Sequence, residues 1–554
     1  MNSFKSYGKV DEADQMRLEA RRKTRKRIAV VAVSSLILVI VVVSAVVGTT
    51  SSRDDNHKAH DSQSQSPLAS IKAVCDSTLY PDTCYTSLSP LVNSTSIQPD
   101  ELLKLSVLVA INELSKASIL PELKNCSELL DLALDHLNDT MLSATDIDLK
   151  SIGGLFDDLM TWLSAAGTYQ QTCIDSFQEN VMGYLQKSTE LTSNSLAIIK
   201  GFSSVTNSYN RRRLMSIAAG SNDLPEWLSV KDRKLLQKTK SPAGINADVV
   251  VAQDGSGKYR KISDALKAVP VKIKKRFVIY VKKGVYYENV RIEKQMWNVM
   301  IIGDGMDSTI VSGSLNVVDG TPTFQSATFA VFGKGFIARD IGFRNTAGAI
   351  KHQAVALMST ADQSVFYRCR IDAFQDSLYT HSNRQFYREC NIYGTVDFIF
   401  GNSAVVIQNC NILPKRPMTG QQNTITAQGK FDPNQNTGIA IQNCTIWPYG
   451  NLSNVQTFLG RPWKNYSTTV YINNMMGSLI DPKGWLPWVG TSAPDTIFYA
   501  EFANYGAGAV IKNRVTWKGL KFITSKQASK FTVKPFIQGD KWVKDTGVPY
   551  KSGL

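Results

Sequence analysis

Two aspartates, Asp376 and Asp397, occupy equivalent positions in a stretch that repeats itself every 21 residues. The segment Cys369-Arg-Ile371 recurs as Cys390-Asn-Ile392 at the same offset. If the repeats stack as parallel coils, equivalent residues lie roughly 4.7 to 4.9 Å apart, which is the spacing of adjacent strands. Two carboxylates held that close do not both ionise easily, so one of them should keep its proton. The spacing therefore predicts one carboxylic acid and one carboxylate nucleophile.

The sequence pattern of residues 247–554 supports the same architecture of stacked parallel coils. Further Cys-x-Ile copies begin at Cys410 and Cys444, and short Val/Ile/Phe segments alternate with Gly, Asn and Asp to the end of the sequence. Repeats of this kind predict a right-handed parallel β-helix. Strand texture alone leaves a β-sandwich or barrel as the alternative, which the in-register Cys-x-Ile ladder disfavours.

Stacking also predicts how the cysteines of this half are paired. Neighbouring coils bring equivalent Cα atoms into the range of roughly 4.4 to 6.8 Å that a disulfide needs. We therefore expect Cys369 to pair with Cys390 and Cys410 with Cys444. A link between Cys390 and Cys410 is the competing arrangement, because these residues also lie one coil apart.

Residues 69–221 have a helical pattern instead. Glu101–Leu114, Leu129–Leu142 and Leu155–Ala166 space their apolar residues three and four apart, which predicts an antiparallel bundle of amphipathic helices. Cysteines in this half predict a compact hairpin between Cys75 and Cys84, which leaves Cys126 and Cys173 to join two longer helices.

The N-terminal residues predict a route into the secretory pathway. Residues 21–27 are nearly all basic, and they precede about twenty uncharged residues, the length that spans a bilayer as a helix. We expect residues 1–27 to stay in the cytosol, residues 28–47 to form a signal-anchor of type II and residues 48–68 to form a polar linker. A signal peptide that is cleaved later is the alternative.

Other features agree with a secreted chain. Eight cysteines suit an oxidising compartment. Sequons for N-glycosylation occur at Asn93, Asn125, Asn138, Asn443, Asn451 and Asn465. Residues 222–246 are predicted to be a linker, and the basic clusters Arg211–Arg213 and Arg233–Lys234 offer sites to a processing protease, with solvated charge runs as the alternative.

Charge and motif content narrow the chemistry. The 62 Lys and Arg residues against 47 Asp and Glu give a net charge of +15, which favours nucleic acid, an anionic membrane or an acidic polysaccharide as a partner. Outside the N-terminal run the basic residues are scattered, so no nucleic-acid-binding module is predicted. The sequence has no Gly-x-Ser-x-Gly, no His-Glu-x-x-His and no calcium loop, so we expect carboxylate chemistry without a metal or cofactor.

Five motifs in order give the β half a family resemblance. They are Gly284–Glu288 (GVYYE), Gln353–Leu357 (QAVAL), Gln375–Leu378 (QDSL), Gly394–Gly401 (GTVDFIFG) and Leu459–Trp463 (LGRPW). Together they resemble the plant pectin methylesterases, and the helical half, with Trp162 to Cys173, resembles the plant invertase and pectin methylesterase inhibitor family. This resemblance implies a proenzyme that demethylates homogalacturonan in the cell wall, with separate inhibitor proteins as further partners.

The same resemblance implies roles for individual residues. Asp397 would attack the methyl ester, and Asp376 would protonate the departing methanol and then activate water. Gln353 and Gln375 would donate hydrogen bonds to the oxyanion. Arg461 would keep Asp397 ionised.

Two further residues are expected to contact the substrate. Trp463 offers a flat apolar face to a sugar ring, and Thr323 matches a threonine of the family that touches the polysaccharide. Either residue, like the two glutamines, has a purely structural role as the alternative.

Two competing functions follow from the same fold. A pectate lyase or polygalacturonase would cleave the backbone, but it needs a calcium cluster or further paired aspartates, and neither stands out. A binding protein with an inactive β-helix is disfavoured by the intact set of Gln353, Gln375, Asp376, Asp397 and Arg461.

Overall fold

The computed structural model describes residues 67–92, 99–144, 153–177, 180–214 and 246–554 of the 554-residue chain. The predicted segments 1–27 and 28–47, and nearly all of the predicted linkers 48–68 and 222–246, lie outside these residues. None of the helices within the described ranges is both long enough and apolar enough to cross a membrane.

The chain divides into two compact units. The first unit consists of Met1–Ser127, Leu137–Leu159 and Met182–Ala219, so far as these ranges are described. The second unit joins Gly220–Leu554 to two short helical segments, Glu128–His136 and Met160–Val181. The predicted helical half therefore contributes two pieces to the unit that contains the β-helix.

Helices form the first half, as its periodicity predicts. Their bounds are Pro67–Cys75, Pro81–Leu88, Pro99–Ser118, Ser127–Ala144, Gly153–Phe177 and Asn180–Leu214. In Pro99–Ser118 the buried residues Leu103, Val107, Ala110 and Leu114 recur at helical spacing and form one apolar stripe.

Two features of the helical half bear on the predictions made for it. The predicted disulfide between Cys75 and Cys84 is present, with a Cα–Cα distance of 5.5 Å, and Cys126 and Cys173 are also disulfide-bonded. Arg211–Arg213 lie in the last turn of the helix Asn180–Leu214, whereas the second basic cluster lies outside the described residues.

The second half winds through three parallel sheets, which are called A, B and C here. Sheet A contains β1 (Val249–Val251), β2 (Phe277–Val281), β5 (Val299–Ile302), β8 (Ile337–Arg339), β11 (Ser364–Tyr367), β14 (Arg384–Arg388), β17 (Ala404–Gln408), β20 (Gly438–Gln442), β23 (Thr468–Ile472), β25 (Phe498–Phe502) and β26 (Leu520–Phe522). Sheet B contains β3 (Gly284–Tyr287), β6 (Thr309–Gly313), β9 (Gly342–Asn345), β12 (Arg370–Asp372), β15 (Asn391–Gly394), β18 (Asn411–Pro414), β21 (Thr445–Ile446) and β24 (Met475–Met476). Sheet C contains β4 (Val290–Ile292), β7 (Phe329–Val331), β10 (Leu357–Ser359), β13 (Leu378–Thr380), β16 (Ile399–Gly401), β19 (Asn423–Gln428) and β22 (Thr457–Gly460).

Successive coils repeat the same path from sheet C to sheet A to sheet B. For example, β10, β11 and β12 lie in sheets C, A and B, and each pairs in parallel with the equivalent strand, β13, β14 or β15, of the next coil. These pairings confirm the predicted stacking of parallel coils. Three short helices accompany the sheets, at Ile262–Leu266, Ser525–Ala528 and Val533–Ile537.

The corner from sheet A to sheet B is a single residue in the left-handed conformation. It recurs with φ of 50° to 54° at Asp340, Arg368, Glu389, Asn409, Asn443, Asn473 and Ala503. Asn and Asp tolerate this region better than most residues, and Ala503 shows that the fold imposes it regardless. At four of these corners the next residue is a buried cysteine that begins a Cys-x-Ile copy: Cys369, Cys390, Cys410 and Cys444.

The four cysteines of this half are buried free thiols, so the predicted disulfides between Cys369 and Cys390 and between Cys410 and Cys444 are wrong for this structure. Two of the sulfurs instead accept a hydrogen bond from the preceding coil: the Cys390 N–H lies 3.3 Å from Cys410 Sγ, and the Cys410 N–H lies 3.3 Å from Cys444 Sγ. Burial raises the pKa of the Cys390 thiol well above its usual value, which keeps it protonated.

Asparagines continue the same ladder. The Cys444 N–H donates to Asn474 Oδ1 at 2.8 Å, and the Asn474 N–H donates to Asn504 Oδ1 at 2.9 Å. Cysteine and asparagine therefore have the same role at this corner. Each side chain accepts a hydrogen bond from a backbone N–H that the turn would leave without a partner.

Residues 533–554 cover the outer face of sheet A. Val533, Ile537 and Trp542 pack on apolar residues of that sheet such as Phe386 and Val406. The Gln408 side chain exchanges two hydrogen bonds with the backbone of Lys551, at 2.8 and 2.9 Å. Sheet A is therefore covered on both faces.

The state of the cysteines is a testable property of this fold. Protein unfolded in denaturant without reductant should take up a thiol-alkylating reagent at Cys369, Cys390, Cys410 and Cys444 only, as read by peptide mass spectrometry. Cys75, Cys84, Cys126 and Cys173 serve as the internal control, because they should react only after reduction. Protection of the β-half cysteines before reduction would show that disulfides form there after all.

Candidate functional site

The two aspartates lie at the corner from sheet B to sheet C on consecutive coils. Asp376 stands between β12 and β13 and Asp397 between β15 and β16, and the pairing of Leu378 with Ile399 puts them in register. The Asp376 N–H donates to the Val396 carbonyl at 3.1 Å. Both residues adopt the left-handed conformation, with φ of 64° and 51°. The 21-residue repeat therefore corresponds to real structural equivalence.

Asp397 is held by partners from two later coils. Arg461 Nε lies 2.8 Å from Asp397 Oδ1, and Arg461 Nη2 lies 2.6 Å from Oδ2, which is a bidentate pair. The Thr424 hydroxyl donates to Asp397 Oδ1 at 2.6 Å and accepts from the Asp397 N–H at 2.8 Å. These bonds fix the position of the carboxylate.

Asp376 has a different environment although its side chain is equally buried. Burial raises its pKa well above the usual value, and the neighbouring charge of Asp397 raises it further, while Arg461 opposes both effects. The pair is therefore asymmetric: Asp397 belongs to an ion pair, and Asp376 favours the protonated acid.

Arg461 is itself held in place. Burial alone would lower the pKa of its guanidinium, but the Asp397 carboxylate outweighs this and raises it. The Trp488 ring lies beneath the guanidinium, with the Arg461 Cζ 4.3 Å from the ring centroid. The backbone before Trp488 is anchored as well, because the Leu486 N–H donates to the Gly460 carbonyl at 3.0 Å.

Gln353 and Gln375 are brought together on adjacent coils. They form an isolated parallel bridge, and the Ala354 N–H donates to the Gln375 carbonyl at 3.3 Å. Because Gln375 directly precedes Asp376, both amides lie at the same corner as the aspartates. Side-chain amides donate hydrogen bonds without carrying charge, which suits them to hold a developing oxyanion.

Aromatic rings lie beside this corner on sheet C. Trp463, two residues beyond Arg461, packs directly on Gly429, where a Cβ would lie 2.8 Å from the Trp463 ring. The Phe400 ring lies 6.2 Å from Trp463 and stacks on Tyr379 at 4.1 Å. Trp463 is partly exposed whereas Phe400 and Tyr379 are buried, so the indole is the ring available to a ligand.

Thr323 lies farther from the aspartates than the other predicted residues. It opens the short 3-10 turn Thr323–Gln325 before β7, and β7 reaches β13 only through β10. Two strand spacings amount to roughly 10 Å. The structure therefore places Thr323 along the same face but does not bring it next to Asp376.

The helical segment 160–181 of the second unit contacts this face of the solenoid. Thr172 Oγ1 lies 2.8 Å from His381 Nε2, and Asp175 forms an ion pair with Lys464 at 2.6 Å. Burial lowers the pKa of His381 to about 3, so its ring is neutral. His381 thus has a structural role, with its two ring nitrogens hydrogen-bonded to Thr172 and Thr360.

Three contacts at the site escape sequence reasoning. Thr424 lies 27 residues after Asp397 rather than 21, so no repeat identifies it. The contact of Trp488 with Arg461 and the need for Gly429 beneath Trp463 have no signal in a single sequence.

Comparisons with known proteins agree with this architecture. The profile of the pectinesterase family matches residues 248–540, and that of the plant invertase/pectin methylesterase inhibitor family matches residues 69–198. Two Arabidopsis thaliana proteins, named pectinesterase/pectinesterase inhibitor 24 and 46, are 55% and 54% identical to the chain, each over 99% of both sequences. The solved pectin methylesterase from carrot is 54% identical, with a TM-score of 0.55 over 57% of this chain and 100% of its own. The chain therefore belongs to the pectinesterase family of carboxylic ester hydrolases and carries an inhibitor-like helical region ahead of its esterase part.

Proposed function

We propose that this pectin methylesterase hydrolyses the methyl esters of homogalacturonan with Asp397 as nucleophile and Asp376 as acid and then base. The observation that carries the proposal is the unequal state of the two carboxyl groups. Arg461 and Thr424 bind the Asp397 carboxylate, while burial keeps a proton on Asp376. One residue type thus supplies both a nucleophile and an acid.

In the first step an Asp397 oxygen attacks the carbonyl carbon of the ester at C6. The carbonyl oxygen becomes an oxyanion, and the amides of Gln353 and Gln375 donate hydrogen bonds to it. Collapse of the intermediate breaks the bond to methoxide, which takes the proton of Asp376 and leaves as methanol. An acyl-enzyme anhydride on Asp397 and a charged Asp376 remain.

In the second step water attacks the same carbonyl carbon. Asp376, now a carboxylate, accepts a proton from that water, and the bond to Asp397 breaks. The products are a free galacturonate carboxyl group and the original Asp397 carboxylate, with the proton again on Asp376. Arg461 stabilises the returning charge, because it already pairs with both Asp397 oxygens.

The aromatic ring of Trp463, beside the corner from sheet B to sheet C, binds the substrate in this proposal. Trp463 presents a partly exposed indole face, and a sugar ring stacked there would lie next to Arg461. We place Thr323 at an outer subsite of the same polysaccharide, since it lies two coils away from Asp376.

The helical half is proposed to hold the enzyme inactive in the secretory pathway until cleavage in the linker 222–246 releases it to the cell wall. Support comes from segment 160–181, since Asp175 pairs with Lys464, the neighbour of Trp463. A polysaccharide chain bound over Trp463 and Lys464 would compete with the ion pair between Asp175 and Lys464. Cleavage is expected at the basic clusters Arg211–Arg213 and Arg233–Lys234.

Replacing the nucleophile tests the mechanism. Asp397→Asn should lower methanol release from methyl-esterified pectin by ~10⁴-fold or more, because an amide does not form the anhydride. Asparagine accepts the left-handed conformation found here, so the fold should persist, and circular dichroism checks this. Turnover within tenfold of the wild type in a folded variant would refute the role of Asp397.

Replacing the acid tests the state of the pair through stability. The pKa of Asp376 is raised above the unfolded value of about 3.9, so the native state binds a proton more tightly and loses stability as pH rises through the folded pKa. Asp376→Asn should therefore raise the free energy of unfolding at pH 7, with a gain that vanishes near pH 3. Asp397→Asn is the matched control and should lower it at pH 7, because Arg461 loses its partner. If both substitutions changed the free energy of unfolding equally, the result would contradict the proposed difference between Asp376 and Asp397.

Cleavage in the linker tests the inhibitory role. A site for a specific protease inserted between residues 222 and 246 should let the two halves be separated, and methanol release should rise severalfold once the helical half is removed. The same chain incubated with inactivated protease is the control. An unchanged rate after separation would show that the helical half does not restrain the enzyme.

A further inference from the structure

The outer face of sheet B carries a row of side chains that the proposed reaction does not use. Strand pairings align Ser312 with Arg344, Arg344 with Asp372, Asp372 with Tyr393 and Tyr393 with Leu413. The Trp447 N–H donates to the Ile412 carbonyl at 3.1 Å, which continues the row by one coil. We call the stretch from Arg344 to Trp447, with the adjacent residues Arg370, Lys415 and Tyr449, the sheet B strip.

One end of the sheet B strip exposes two aromatic rings. Trp447 and Tyr449 are each 52% exposed, and because they are two residues apart in an extended segment they point to the same side. The Tyr449 ring meets the Tyr393 ring edge-on at 5.0 Å, and the Arg370 guanidinium lies 4.4 Å from the Tyr393 centroid. Tyr393 thus supports the Tyr449 ring, and about half of the surface of Trp447 and of Tyr449 stays accessible to a ligand.

The charge of the sheet B strip is positive. Arg344, Arg370 and Lys415 belong to it, and the carboxylates that meet them are Asp372 and Asp307. Arg416 follows Lys415 and adds a further cation at the edge, where it donates to the Asn451 carbonyl at 2.7 Å. A flat surface that combines aromatic faces with excess cations suits a sugar polymer that carries carboxylates.

The spacing of the solenoid fits an extended polymer. From Arg344 to Trp447 the row crosses four intervals between strands, which is roughly 19 Å along the axis. Solenoids use such regular faces to bind long ligands. The strip lies on sheet B, whereas Trp463, Phe400 and Tyr379 lie on or beyond strands of sheet C. The two surfaces meet where Lys415 Nζ lies 3.7 Å from the centroid of the Phe374 ring, two residues before Asp376.

We propose that the sheet B strip binds a de-esterified, anionic segment of galacturonan. The identity of this ligand rests on the proposed function, because hydrolysis of the ester converts a neutral unit into a carboxylate. The strip therefore recognises the product, while the corner of Asp376 and Asp397 recognises the ester. Binding the product beside the site retains the enzyme on stretches of polymer that it has already processed.

The test compares binding and turnover in the full chain. Trp447→Ala combined with Tyr449→Ala should weaken binding of a long, fully de-esterified oligogalacturonate by about tenfold in isothermal titration calorimetry. Phe522→Ala is the matched control, since Phe522 is also 52% exposed but lies on β26 of sheet A, and it should bind like the wild type. Methanol release from a short methyl-esterified oligomer should be unchanged in both variants.

A second variant examines the charge. Arg344→Gln should weaken the same binding and make it less sensitive to salt, and it keeps the proposal testable if the double variant fails to fold. Unchanged affinity in both variants, or equal affinity of the wild type for a neutral glucan, would overturn the proposal. If the wild type released no methanol but still bound the oligogalacturonate, the result would count against the proposed function alone.

Discussion

Parallel register between successive coils is the constraint on which this site depends. Asp376, Asp397 and Thr424 come from three consecutive coils, and Arg461 comes from the next one. A slip of one residue in any of these pairings would turn the side chain to the other face of its strand. The ladder of Cys and Asn side chains at the opposite corner enforces that register, because each side chain bonds the backbone of the coil before it.

The chemistry follows from unequal surroundings of identical groups. The corner from sheet B to sheet C puts both aspartates in the same left-handed backbone conformation. Only Asp397 meets a guanidinium, since Arg461 extends from the end of β22 toward the later of the two coils. In the mechanism that we propose, this single cation on one side of the pair makes Asp397 the nucleophile and leaves Asp376 as the acid.

Remote packing supports that cation. Trp488 lies under Arg461, and the segment before Trp488 is anchored by a buried ion pair between Arg514 and Glu501 at 2.9 Å. Trp485 donates from its indole to the same Glu501 at 3.2 Å. Burying this charged pair is costly unless its hydrogen bonds are complete, and here both partners bind further groups of the same loop. These bonds hold the loop that carries Trp488, and Trp488 in turn supports the guanidinium of Arg461.

The repeats explain how much of the fold and of the candidate site could be predicted from the sequence. The 21-residue offset predicts the stacked coils and the equivalence of the aspartates, because coils of equal length preserve it. Later coils differ in length, with offsets of 27 residues from Asp397 to Thr424 and 34 from Cys410 to Cys444, so a constant offset does not identify Thr424. The prediction of disulfides among the four cysteines of the β half failed because spacing alone does not distinguish a sulfur that bonds another sulfur from one that accepts an N–H. The anchor at residues 28–47 stays a prediction, as do the linker boundaries.

Residues 533–554 carry a consequence for biosynthesis. They cover apolar positions of sheet A that belong to coils far earlier in the chain, including Val278, Met300 and Val365. A ribosome makes those coils first, so the sheet can stack while its outer face is still bare. Until the later residues emerge, the nascent solenoid presents a long apolar surface, which is the kind of surface that chaperones bind and that aggregates form upon. The fold is therefore complete only when these covering residues are in place.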